Sequence, residues 1–108
     1  MEINALVQKA HQVAVDKSWY EEPRTFGEVI ALMHSELSEA LEDYRNGRDI
    51  REIYFEDGKP CGVPIELADA VIRIADTCGH FGIDLEAAIQ LKMRYNATRP
   101  HKHGGKKI

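Results

Sequence analysis

Two pairs of acidic residues, each with a spacing of three, have the types and positions that favour metal chemistry. Glu36 and Glu39 form one pair, and Glu66 and Asp69 form the other. This spacing places both carboxylates of a pair on one side of a helix, one turn apart. Carboxylates that share a helix seam repel each other, and Mg²⁺, which prefers oxygen ligands, relieves the repulsion. The pairs therefore indicate a magnesium site suited to phosphoryl chemistry. The alternative is that these acids form an ordinary solvated face, with a surface ion pair between Asp69 and Arg73.

A second group of polar residues lies towards the C-terminal end of the chain. Lys92 and Asn96 continue the inward face of the last predicted helix, and Arg99 follows one turn later. Lys and Arg bind phosphate through charge and fork geometry, so these residues fit a triphosphate beside the acids; Lys106 is a further candidate. The alternative to phosphate binding is that the domain is thin at this end and these side chains extend into water. Trp19, the single Trp, is a candidate for stacking on a nucleobase and equally for a core position.

Composition and motifs exclude several other classes of protein. The chain has 108 residues and a net charge of −4, which suits one domain over residues 1–108 and argues against general nucleic-acid binding. We expect no membrane association and a cytoplasmic location, because the chain has no apolar run near ~20 residues and no signal-peptide core. The sequence has no HxxxH or ExxH spacing and no phosphate-binding Gly-rich loop, which argues against zinc proteases, di-iron bundles and P-loop enzymes.

The hydrophobic pattern predicts an all-α fold with four helices that position these residues. The predicted helices run from about Ile3 to Ser18, from Thr25 to a stop at Gly47, from Pro64 to about Gly79, and from Asp84 to about Thr98. Thr25 and Glu28 form a capping box, and the wide apolar sector of the third helix predicts a central position. Residues 48–63 are predicted to form a short hairpin or an ordered loop, with Asp57-Gly58 as the turn. A flexible basic tail is predicted at 100–108.

Two segments resemble the ExxE…ExxD signature of the MazG-like nucleotide pyrophosphohydrolases. They are HSELSEALE at 34–42 and PIELADAVIRIAD at 64–76, with 26 residues between Glu39 and Glu66. The segment GIDLEAAIQLKMRYNATRPHKHGGKK at 82–107 resembles the last helix of that family, with its KxxxN element at Lys92 and Asn96. The resemblance covers most of the chain from Phe26 onward.

The resemblance implies a MazG-like four-helix bundle, with an irregular or hairpin segment between the second and third helices, assembled as a homodimer or homotetramer. It implies Mg²⁺-dependent hydrolysis of a nucleoside triphosphate, often a deoxynucleotide, to the monophosphate and pyrophosphate, which cleans the nucleotide pool. The four acids would hold Mg²⁺, or Mn²⁺ in its place, and orient the attacking water; Lys92 and Asn96 would hold phosphate or sugar. Two other functions stay open: a non-catalytic helical module that binds metal for assembly or regulation, and a phosphoribosyl-ATP pyrophosphohydrolase-like enzyme.

Overall fold

Four helices and one short hairpin make up the fold. A computed structural model describes residues 2–99 of the protein, so the predicted tail at 100–108, with Lys106, lies outside the described residues. The elements are α1 Ile3–Asp16, α2 Phe26–Arg45, β1 Tyr54–Glu56, β2 Lys59–Cys61, α3 Val63–Phe81 and α4 Leu85–Thr98. The predicted helical character is confirmed, with one two-stranded sheet between α2 and α3. None of the described helices is long and apolar enough to cross a bilayer.

Side-chain caps fix the starts of α2 and α4 where the sequence predicted them. The Thr25 hydroxyl accepts a hydrogen bond from the backbone N–H of Glu28 (3.1 Å), and the Glu28 carboxylate accepts one from the backbone N–H of Thr25 (3.2 Å). The Asp84 carboxylate accepts one from the backbone N–H of Ala87 (3.0 Å). Each cap satisfies an amide that would otherwise lack a partner and contributes about 1 kcal/mol.

The hairpin fills the predicted non-helical segment and leads directly into α3. Its turn residues Asp57 and Gly58 both have positive φ angles, 50° and 79°, as a tight two-residue hairpin turn requires. Gly62 follows the hairpin at φ 120°, and a Cβ at this position would collide with the backbone carbonyl of Glu52. Glycine therefore allows the chain to fold back closely at the point where the acid-bearing helix α3 begins.

Helix α3 occupies the centre of the fold, as its wide apolar sector predicted. It packs against α1 on one side and α2 on the other. Val7 and Ala10 of α1 form a small core with Ala75 and Cys78 of α3. These side chains are small, so the two helix backbones approach closely.

The predicted end of the third helix near Gly79 is wrong, because α3 continues to Phe81 and ends at Gly82, which has a left-handed φ of 68°. Gly79 lies at the crossing of α1 and α3 instead. A Cβ at this position would lie 2.7 Å from Cβ of His11. Gly79 is therefore a packing residue, and the helix stop is three residues further on.

Several apolar residues of the predicted core faces remain exposed in the single chain. They form one stripe on α2 and one on α3, each at positions i, i+4 and i+7: Leu37, Leu41 and Tyr44, and Leu67, Val71 and Ile74. Helix α4 has no buried residue and packs against α1. The radius of gyration of 16.5 Å exceeds the ~13 Å typical of a compact domain of about 100 residues.

Candidate metal centre and adjoining groove

Three of the four predicted acids come together between α2 and α3. Glu36 and Glu39 of α2 and Glu66 of α3 each place one carboxylate oxygen within 4.8 Å of the other two. Glu36 is buried, Glu66 is half-buried and Glu39 is exposed. The fourth acid, Asp69, lies one turn after Glu66 on α3 and is exposed. The seam predicted from the two ExxE-type spacings therefore exists, with Asp69 at its edge.

The acids of this seam raise each other's affinity for protons. Burial, a hydrogen bond to Glu39 and the charges of the neighbouring acids raise the pKa of Glu66 to about 7. Partial desolvation and the charge of Glu36 raise the pKa of Asp69, while the charge of Arg73 opposes that shift. Both shifts arise from desolvation together with an excess of negative charge, and a bound cation would offset that charge.

The oxygen positions fit a small, hard divalent cation after minor adjustment. Mg²⁺ holds oxygen ligands at about 2.1 Å, so ligands on opposite sides of the ion are ~4.2 Å apart. The separations within 4.8 Å between the three acids come near that value, and rotamer changes of exposed Glu39 would close the difference. An all-carboxylate donor set also favours Mg²⁺ and Mn²⁺ over softer metals.

One guanidinium group already neutralises part of the seam. The Arg73 side chain donates to Oε1 of Glu36 from Nε (3.2 Å) and from Nη2 (2.8 Å). The sequence offered an ion pair between Arg73 and Asp69 as an alternative. Within residues 2–99, the structure pairs Arg73 with Glu36 instead. Arg73 therefore holds the most buried acid of the cluster in position.

A groove of about 210 Å³ runs between α1 and α3 and reaches Asp69, the acid at the edge of the cluster. Small apolar side chains of α1 line one wall. Asp69, Ile72, Arg73 and Asp76 line the other wall, at successive positions on one face of α3. Trp19, from the loop after α1, also lines the groove. The groove thus connects a polar, acid-bearing end with an apolar interior.

Trp19 is held in the groove by two cationic side chains. The guanidinium carbon of Arg24 lies 4.0 Å from the centre of the Trp19 ring, and that of Arg73 lies 4.7 Å from it. Such cation–π contacts fix the half-buried ring. A ligand in the groove would therefore contact Trp19 together with the guanidinium groups of Arg24 and Arg73, and a guanidinium group can also stack on an aromatic ring.

The predicted phosphate-binding residues of α4 lie elsewhere in the single chain. Lys92, Asn96 and Arg99 are exposed, and the helix that carries them packs against α1. The charged ends of Lys92 and Arg99 lie 5.0 Å and 5.6 Å from the centre of the Tyr95 ring. Within residues 2–99, the structure brings together three acids with Asp69 at their edge and leaves these α4 residues apart from them.

The sequence interpretation missed a polar cluster around Asp76, which lies in the wall of the groove. Nδ1 of His11 lies 3.0 Å from Oδ1 of Asp76, and Asp76 is only 6% exposed. The Tyr20 ring stacks on His80 at 3.9 Å, and burial and the nearby Asp76 carboxylate raise the pKa of Tyr20. The available signal was the position of Asp76, two helical turns after Asp69 at the border of the apolar sector.

Comparisons of this chain with family models, with curated proteins and with solved structures found no match. The resemblance to MazG-like pyrophosphohydrolases therefore stays a prediction from the sequence motifs, to be weighed with the geometry of the described residues.

Proposed function

We propose that the protein is a Mg²⁺-dependent pyrophosphohydrolase of the MazG-like kind. It would convert a nucleoside triphosphate, preferably a deoxynucleotide, to the monophosphate and pyrophosphate and so clear unwanted nucleotides. The observation that carries the proposal is the cluster of Glu36, Glu39 and Glu66, whose oxygens lie within 4.8 Å of one another. Bound there, Mg²⁺ or Mn²⁺ would neutralise phosphate charge and lower the pKa of water.

The residues around the cluster take distinct parts in this proposal. Glu36, fixed by Arg73, is a rigid ligand, while exposed Glu39 adjusts its position when the cation binds. Asp69 stands between the cluster and the groove, where the α-phosphate would lie. The apolar groove with Trp19 receives the nucleoside, which keeps the scissile bond next to the acids.

The first experiment measures pyrophosphate and monophosphate release from canonical and modified nucleoside triphosphates with Mg²⁺. Glu39→Gln and Asp69→Asn are expected to lower turnover at least ~100-fold, because each removes a group that acts on the transition state. Glu42→Gln is the matched control, since Glu42 is an exposed acid of α2 outside the cluster. Equal turnover in wild type and both site variants would reject the proposal.

A second candidate function, a non-catalytic module that binds metal for assembly or regulation, is favoured by one contact. The Arg73 guanidinium lies 2.8 Å from Glu36 and balances part of the negative charge of the acids. The acids can therefore be accommodated in the fold without having a catalytic role. This candidate predicts that Mg²⁺ raises the melting temperature while no nucleotide, phosphoribosyl-ATP included, yields pyrophosphate.

The proposed active form is a homodimer or homotetramer. The exposed stripes of α2 and α3 supply apolar surface that the single chain leaves without a partner. A second copy would also be the source of Lys92 and Asn96, and of Arg99 and Lys106 as further phosphate contacts, because α4 packs away from the acids of its own chain.

A further inference from the structure

Asp76 is a buried carboxylate in the wall of a groove that is otherwise largely apolar. It is 6% exposed and lines the groove together with Asp69 and Ile72. Burying a carboxylate is costly unless it has partners. One of its oxygens is paired with His11 at 3.0 Å, and the Tyr20 hydroxyl lies beside the carboxylate. A carboxylate offers about four lone-pair sites, so these two neighbours leave Asp76 with acceptor capacity.

The position of Asp76 along α3 matches the length of a nucleotide. Asp69 and Asp76 are seven residues apart on one helix face, which is about 10.5 Å at 1.5 Å per residue. That length is comparable to the reach from the α-phosphate of a nucleotide to the far edge of its base. With the α-phosphate beside Asp69, the far edge of the base lies at Asp76.

An ionised carboxylate only accepts hydrogen bonds. We infer that Asp76 selects nucleotides whose base carries an amino group at the edge far from the sugar, as cytosine and adenine do. The inference rests on the proposed function for the placement of the phosphates. Bases with a carbonyl oxygen at that edge, as in uracil, thymine and guanine, would place two acceptors against each other in a buried site, which is strongly disfavoured.

His11 acts as a positioning residue for this selection. Its ring contacts Asp76 through Nδ1 and is fixed at its edge by Tyr20, with ring centres 5.3 Å apart. The buried hydroxyl of Tyr20 has no partner of good geometry among residues 2–99, and its raised pKa keeps it neutral beside the carboxylate. Asp76 is thereby held in the groove wall, with lone pairs left to accept a hydrogen bond from a ligand.

The test is the binding of nucleoside monophosphates in the presence of Mg²⁺, which needs no turnover. The deoxy monophosphates of cytosine and uracil differ at this edge by an amino group against a carbonyl oxygen. The indole N–H signal of Trp19, the single Trp of the chain, reports occupancy of the groove by NMR. The wild type is expected to bind the cytosine and adenine nucleotides at least ~10-fold more tightly than the uracil and thymine nucleotides.

Asp76→Asn should reduce that preference to within ~3-fold, because an amide can turn either a donor or an acceptor towards the base. Asp57→Asn is the control: it removes the same charge in the hairpin turn, where Asn tolerates the positive φ, and should keep the preference. Equal binding of cytosine and uracil nucleotides by the wild type overturns the inference, even if Asp76→Asn does not fold. Pyrophosphate release without a base preference leaves the proposed function standing, whereas a base preference without any release contradicts the function alone.

Discussion

Glu66 links the protonation of the acid seam to the stability of the fold. Its pKa is raised from an ordinary 4.5 to about 7 in the folded chain, so the folded state binds this proton more tightly than the unfolded state does. The resulting stabilisation is fully present below the unfolded pKa and is lost as pH rises through the folded pKa. Each pKa unit corresponds to ~1.4 kcal/mol, so the effect is on the order of 1–3 kcal/mol.

We expect the melting temperature of the metal-free protein to fall between about pH 5 and about pH 8 relative to Glu66→Gln, which keeps the neutral form. Mg²⁺ should restore stability at the higher pH and have little effect at the lower one, because protonated acids bind metal poorly. Thermal unfolding followed by circular dichroism measures both effects, with Glu42→Gln as the control. Parallel pH profiles of the melting temperature for wild type and Glu66→Gln would show that protonation of Glu66 does not contribute to stability.

The sequence predicted which residues form the seam but not how they are held. The spacing of Glu36, Glu39 and Glu66 is a local property, and helix geometry alone turns it into a shared face. The contacts of Arg73 with Glu36 and of His11 with Asp76 join residues 37 and 65 positions apart. Their formation depends on how α1 and α2 pack on α3, for which a single sequence carries no periodic signal.

At the scale of elements, local signals predicted the starts of helices better than their ends. The capping residues Thr25 and Asp84 act through contacts three residues away, so their effect is visible in the sequence. Gly79 and Gly82 are both glycines near the end of an apolar pattern. Only packing distinguishes them, because a Cβ at Gly79 would meet His11, whereas Gly82 adopts the left-handed conformation that ends the helix.

Gly79 and Gly27 both lie within helices, and the space around each of them predicts opposite outcomes for a Gly→Ala change. At Gly79 the new Cβ would lie 2.7 Å from Cβ of His11 and 3.3 Å from the carbonyl oxygen of Val7, so α1 must shift at a cost of about 1–3 kcal/mol. Higher helix propensity returns only about 1 kcal/mol. At Gly27 the nearest atom is the Thr25 hydroxyl oxygen at 3.9 Å, so the same change should stabilise.

Chemical unfolding of Gly79→Ala and Gly27→Ala gives the two free energies directly. We expect a net loss of up to about 2 kcal/mol for the first variant and a gain of up to about 1 kcal/mol for the second. The first variant should also shift the NMR signals of His11, which lies at the crossing. A stabilised Gly79→Ala protein would mean that α1 and α3 are not in close contact at this point.

At the scale of the whole molecule, the apolar pattern predicted faces that one chain does not cover. The six residues of the α2 and α3 stripes are between 37% and 60% exposed. Stripes at i, i+4 and i+7 suit helix-on-helix packing, and burial of apolar surface contributes about 25 cal/mol per Å². In the proposed dimer, a symmetric pair of chains would bury each stripe against its own copy, and helical periodicity marks such a face in the same way as a core face.

A second copy would also decide where the proposed phosphate-binding residues act. Lys92 and Asn96 lie on α4, which packs against α1, while the acids lie between α2 and α3. If each site combines the acids of one chain with the α4 residues of another, Glu39→Gln and Lys92→Ala damage different halves of it. Each variant alone should then be inactive, while a mixed dimer keeps one of its two sites complete.

Co-expression of the two variants with different tags, followed by purification on both, isolates the mixed dimer. Its pyrophosphate release should reach about half the wild-type value, because one site of the two has all its parts. A mixed dimer of Glu39→Gln with Glu66→Gln is the matched control and should stay inactive, since both changes fall in the acid half of the site. A mixed Glu39→Gln and Lys92→Ala dimer without activity, in a preparation whose wild-type dimer is active, would place Lys92 outside the partner's site and leave the acids to work within one chain.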